Sequence, residues 1–224
     1  MTRLGAGELR HEGYVAATCV LEDLSTSDPD LLAMPRPVVL IAKKLGTRYS
    51  VDRPPFGPTV SGMVDWASGT IVVSAGDGHR RARFTIAHEL GHWYLGTFMD
   101  EEQISRRGVR AERSLDIEPE ADGFAAGLLL DHPRLLGILK SYLLVVRPHS
   151  PEEWARQEID HRVVTGVVKT GDVSYRVVLQ SMAEAGLVVG VTPWNDQPGM
   201  AYGFYRQEWN RLAGSRHSGR AYSR

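Results

Sequence analysis

The feature that most constrains this chain is the pentapeptide His88-Glu89-Leu90-Gly91-His92, set inside the proline-free run from Arg83 to Leu95. Good helix formers fill that run, so it is expected to be one helix. Residues four apart on a helix sit one above the other, and His88 and His92 can then direct two imidazole nitrogens at a single point. A zinc ion suits that pair. A glutamate directly after the first histidine is placed to act on water as a general base instead of serving as a ligand, which makes Glu89 the candidate catalytic residue. Catalytic zinc keeps three protein ligands and one open position. The fold must therefore bring a third donor to the two histidines.

The best candidate for that donor is Glu118, 26 residues beyond His92, in the segment Glu118-Pro119-Glu120-Ala121-Asp122. The Glu-x-x-x-Asp spacing lets Asp122 orient a ligating imidazole from behind. Proline disfavours helical geometry in the residue before it, so Glu118 is expected at the very start of a second helix, with Glu120 as the alternative ligand. That helix is announced by Ala121, Phe124, Ala125, Leu128 and Leu129, which recur with the period of one apolar face. Pro133 ends or follows it.

Upstream, the chain reads as a short helix, a loop, an apolar helical or turn segment over Val38–Leu45, and then strands. The prolines of Arg53–Pro58 demand a loop. Val60–Asp65 and Thr70–Ser74 are β-rich runs joined through Ala67-Ser68-Gly69, a turn signal, and form an expected β-hairpin. Downstream, Pro151–Val168 and Val173–Ala185 read as a helix-turn-helix-like pair around Thr170-Gly171-Asp172. The expected organisation is an α+β domain over 1–150, the helical pair over 151–197, and a basic, flexible tail over 198–224 that holds five Arg and one acidic residue.

The chain has 42% hydrophobic and 24% charged residues, the balance of a folded globular protein, and its formal net charge of -1 offers no overall footprint for nucleic acid. With Cys19 its one cysteine, an internal disulfide or a Cys-rich zinc finger is excluded. No apolar stretch approaches the ~20 residues of a membrane span, and Met1–Tyr14 lacks the apolar core of a secretory signal. A cytoplasmic location is expected. Nothing in the sequence specifies an oligomeric state.

The segment Arg83-Phe84-Thr85-Ile86-Ala87-His88-Glu89-Leu90-Gly91-His92, followed by Glu118-x-Glu120-Ala121-Asp122-x-Phe124-Ala125-Ala126-x-Leu128-Leu129, resembles the ImmA/IrrE family of metallopeptidases. The strands at Ser61-Gly62-Met63 and Ile71-Val72-Val73 are similar too, and the likeness extends over about Pro37–Pro133. The resemblance implies a minimal zincin-like core, zinc ligands at His88, His92 and Glu118, the base at Glu89, and Asp122 behind the ligands. It also implies a regulatory endopeptidase whose target is a helix-turn-helix repressor, in stress response or mobile-element control. This chain departs from the family pattern at Pro119 and at Leu130-Asp131-His132-Pro133.

Other residues carry weaker functional readings. Tyr94, Tyr142 and His132 are candidates for a proton donor in the transition state. His79, Arg80, Arg81 and Arg83 form a basic cluster able to grip an acidic substrate segment, or to lie solvated. Trp66 either faces a peptide groove or covers the core. An edge strand of the hairpin can bind an extended peptide by β-augmentation. The helix-turn-helix-like pair raises a DNA-binding regulator as the second functional class, with Ser174, Arg176 and Gln180 on the recognition helix.

Overall fold

In the computed structural model, residues 5–52, 60–98, 113–145, 158–159, 161–184 and 202–203 are described. They fall into two compact units, Met1–Asp131 and His132–Arg224. The first is a mixed α+β unit.

Its opening helix, α1 (Ala6–Ser27), is 22 residues long, not the short helix the sequence suggests. The start is capped by the Glu8 carboxylate, which accepts from the Gly5 amide at 2.7 Å. The polar run Ser25-Thr26-Ser27 still belongs to its last turn, where each hydroxyl donates to a carbonyl three or four residues back. A 3-10 turn (Pro29–Leu32) leads to helix α2 (Val38–Lys44). Gly46 follows with φ 85, which lets the chain leave α2 and enter strand β1 (Arg48–Asp52).

The hairpin forms as expected. Strand β2 (Gly62–Asp65) runs antiparallel to β3 (Thr70–Ser74), with Asp65 opposite Thr70. Asp65 closes the turn by accepting from the Ala67 amide at 3.1 Å and the Ser68 hydroxyl at 2.6 Å. Because β1 pairs parallel to β3, the sheet order is β1-β3-β2 and β2 lies at one edge. On the central strand Ile71 and Val73 are buried and their neighbours less so, the period-2 pattern of one covered face.

Helix α3 (His79–Phe98) follows, and after residues 99–112 comes α4 (Arg113–Leu129). Pro119 lies inside α4, so Glu118 is not at the helix start as Pro119 alone would suggest; the helix begins at Arg113. A proline-preceding residue is disfavoured in helical geometry, but packing of α4 overrides that preference. The apolar face predicted for this helix is fully buried, with Ala121, Phe124, Ala125 and Leu128 at 0% exposure.

Helices α1 and α4 cross with almost no separation. A Cβ on Gly13 would fall closer than 3.0 Å to the backbone of Glu120, and one on Gly123 equally close to the backbone of Arg10. Two reciprocal glycines thus allow backbone-to-backbone contact. The C-terminal end of α4 is held by Arg36, which is 1% exposed and donates to the carbonyl of Leu128 at 2.6 Å while pairing with Asp131 at 3.0 Å. That guanidinium neutralises the negative end of the helix.

The second unit contains helix α5 (His132–Val145), with Pro133 as its second residue, and helices α6 (His161–Gly171) and α7 (Tyr175–Glu184). Leu135, Leu139, Val164, Val167, Val178 and Met182 are among its buried apolar residues. The expected helix over Pro151–Val168 is shorter than the sequence implies, because Glu158–Ile159 pairs as a strand, β4, with Tyr202–Gly203, β5. Asp172, at φ 50, turns α6 into α7, and the Thr165 and Tyr175 hydroxyls bond across the pair at 2.6 Å. Apart from β5, the tail expected over 198–224 lies outside the described residues. No helix among the described residues is long and apolar enough to cross a membrane.

Candidate metal centre

The helix that the pentapeptide requires is present, and α3 carries His88 and His92 one turn apart with ring centroids 4.7 Å from each other. Their Nε2 atoms approach to 3.0 Å. Glu118 reaches them from α4, with Oε2 at 3.2 Å from His88 Nε2 and Oε1 at 3.3 Å from His92 Nε2. Gly91 makes this approach possible, since a Cβ there would meet the α4 backbone of Ala121 at 3.2 Å. The two ligand-bearing helices are thus pressed together directly beside the histidines.

Glu118 and Asp122 are four residues apart on α4 and share a face, whereas Glu120 lies on the far side of the helix. Asp122 accordingly sits 3.1 Å from His88 Nδ1, behind the ring. Glu120 is 1% exposed, its backbone pressed against Gly13 of α1, and is not brought to the cluster. The alternative third donor is therefore placed by helix periodicity in the packing between α1 and α4.

The donor set fits a divalent cation. Ligands at about 2.0–2.1 Å in tetrahedral array stand roughly 3.3 Å apart. The inward atoms of His88, His92 and Glu118 are separated by 3.0, 3.2 and 3.3 Å. This cluster is the one group of three potential metal donors among the described residues. Two imidazoles and a carboxylate are a donor chemistry that suits zinc.

Burial acts to lower the pKa of His88, but hydrogen bonds to Asp122 and Glu118, with the negative charges of Asp122 and Glu89, outweigh it and raise the imidazole to about 9. The same hydrogen bonds, from His88 and His92, hold the Glu118 carboxyl far below the usual carboxylate range. Glu89 behaves in the opposite way. Burial pushes its pKa up, against the pull of the two histidines, and its side chain is nearly enclosed. A carboxyl shifted upward next to the donor cluster is suited to proton transfer.

The remaining candidates are distributed differently. Tyr94 packs on Phe124 with centroids 5.5 Å apart, and burial with the nearby Cys19 and Asp23 raises its pKa, which places its ring on the α1 and α4 side. His132 opens α5 in the second unit, and the side chain of Tyr142 lies outside the described residues. The basic cluster is not a uniformly solvated run, since Arg83 is buried and Arg81 binds the Ser61 hydroxyl at 2.7 Å and Asp77 at 3.2 Å. Trp66, 53% exposed, stacks on Trp93 with centroids 5.4 Å apart.

In the helical pair, Gln180 is buried and Ser174 receives the Val177 amide at 3.3 Å, so neither matches the base-reading role expected for it. The six residues Val177–Met182 are all buried. A recognition helix needs an exposed face to enter a groove. Arg36 and Gly123 carry no motif that marks them in advance, and Gly62, although inside the strand Ser61-Gly62-Met63, gives no sign of its role, because the importance of all three comes from which distant segments lie beside them.

Among curated proteins, none matches this chain. The sequence pattern of the IrrE N-terminal-like domain, Peptidase M78, matches residues 38–155, a span that contains both helices of the donor cluster. With just over half of its length matched to that pattern, the chain belongs to the IrrE N-terminal-like family of peptidases.

Proposed function

We propose that this protein is a zinc-dependent endopeptidase that cuts one peptide bond in a specific protein target, a helix-turn-helix transcriptional repressor, in stress response or mobile-element regulation. The observation that carries the hydrolytic part is the convergence of His88, His92 and Glu118 on one point beside the buried carboxyl of Glu89. The repressor as target rests on the likeness to the ImmA/IrrE family.

In this reading His88, His92 and Glu118 would hold the zinc ion, and Asp122 keeps the His88 ring turned toward it. Bound there, the cation supplies Lewis acidity toward water and the peptide carbonyl. Glu89 takes one proton from the attacking water as the new carbon–oxygen bond forms, and delivers it to the amine nitrogen as the carbon–nitrogen bond breaks. Its raised pKa suits both transfers, because a strongly acidic carboxylate takes a proton poorly. Strand β2, at one edge of the described three-stranded sheet and beside α3, is placed where an extended substrate segment can add to it.

The test is to incubate the full chain and zinc with a helix-turn-helix protein encoded beside it, and to look for a single cut. Glu89→Gln should still bind zinc and lose cleavage by about 10²- to 10⁴-fold, the usual worth of general acid–base catalysis. Retention of full cleavage by the zinc-loaded Glu89→Gln protein would refute the assigned role.

A further inference from the structure

We infer that Gly62 is a positioning residue for Glu89, and that the entry of edge strand β2 acts as a clamp on the α3 face that carries this glutamate. The inference rests on the reading of Glu89 given above and adds a residue to it. A Cβ on Gly62 would fall closer than 3.0 Å to Thr85 Cγ2, 3.1 Å from the Val72 carbonyl oxygen and 3.2 Å from Glu89 Cγ. Strand and helix are in contact at a point where no side chain fits.

The contact has a second, independent anchor. Arg81 donates to the Ser61 hydroxyl from Nε at 3.1 Å and from Nη2 at 2.7 Å, and pairs with Asp77 at 3.2 Å. Arg81, Thr85 and Glu89 recur every four residues and line one face of α3. The guanidinium thus draws Ser61 onto the helix one turn before Thr85, and Gly62 comes down over Thr85 and the side-chain stem of Glu89. Thr85 is buried and β-branched, so its methyl has little freedom to turn aside. A side chain at position 62 must lift β2 or push the Glu89 stem, and either moves the carboxylate relative to His88 and His92. Gly62 shows no positive φ, so its requirement is spatial and not conformational.

The experiment uses the full chain loaded with Co2+ and titrated with acetohydroxamate, followed by the visible spectrum of the cobalt. A hydroxamic acid chelates the cation through its two oxygens and releases its O–H proton, which a correctly placed Glu89 accepts. Glu89→Gln serves as the reference for loss of that acceptor. Gly62→Ala should bind Co2+ within about twofold of wild type and lose acetohydroxamate affinity about tenfold, as expected for the weakening of one charge-assisted hydrogen bond. Removing the obstructing methyl in the double variant Gly62→Ala/Thr85→Ser should restore affinity to within about threefold. Undiminished hydroxamate binding by Gly62→Ala, alongside a loss in Glu89→Gln, overturns the inference while leaving the role of Glu89 standing. A parallel loss of Co2+ affinity that Thr85→Ser does not relieve also overturns it, since Gly62 then serves packing in general. If Glu89→Gln itself binds acetohydroxamate as wild type does, the reading of Glu89 fails and this inference with it.

Discussion

Removal of the Asp122 carboxylate should weaken metal binding by an amount that depends on pH. Asp122 Oδ1 stands 3.1 Å from His88 Nδ1, and the two side chains are 19% and 14% exposed, so the contact is only partly screened by water. Carboxylates placed behind a ligating imidazole are worth about 10–100-fold in metal affinity. Asp122→Asn keeps an acceptor for the Nδ1 proton and loses the charge, which places it near tenfold, or about 1.4 kcal/mol. Asp122→Ala loses both and should approach 100-fold, or about 2.7 kcal/mol. Proton competition works in the opposite direction. Asp122 also helps raise His88 to about 9, and below that pH a cation must displace the proton. Each variant lowers that barrier as well, so the loss in apparent affinity should be small near neutrality and reach its full size above pH about 9. Competition against a chelating dye across this range, with circular dichroism to confirm an unchanged fold, measures it. Equal affinity of Asp122→Ala and wild type above pH 9 would show that this carboxylate does not support the ligand.

Two further outcomes concern stability. Arg36→Met removes a buried charge from Asp131 and from the last carbonyls of α4, and should destabilise the unit Met1–Asp131 by about 3–5 kcal/mol in urea denaturation; a loss under 1 kcal/mol would contradict the structural role given to the pair. In the metal-free chain His88 has a folded pKa of about 9 against an ordinary 6.5, so its stabilisation is complete below about 6.5 and disappears as the pH rises through 9. The melting temperature should fall across that window in a metal-free preparation, and a flat profile would refute the upward shift of His88.

The sequence by itself determined those features that depend on local periodicity. His88 and His92 converge because about four residues make one helical turn, the hairpin closes because Ala67-Ser68-Gly69 carries the turn, and α4 shows its core face in the spacing of Ala121, Phe124, Ala125 and Leu128. It also identified the family, since the motif and its downstream carboxylates lie on that same helical framework. The choice of Glu118 over Glu120 as the residue beside the histidines was decided by tertiary structure. Both carboxylates were open to the sequence argument, and Pro119 even pointed to a helix start that is not there. The choice follows from the side of α4 that turns to α3, and the reciprocal contacts of Gly13 with Glu120 and of Gly123 with Arg10 fix that side by locking the opposite face onto α1. Arg36, and the role of Gly62 within its recognisable strand, were illegible for the same reason. A buried charge at a helix end and a missing Cβ under an edge strand are relations between segments far apart in the chain, and such relations have no period for a linear reading to detect.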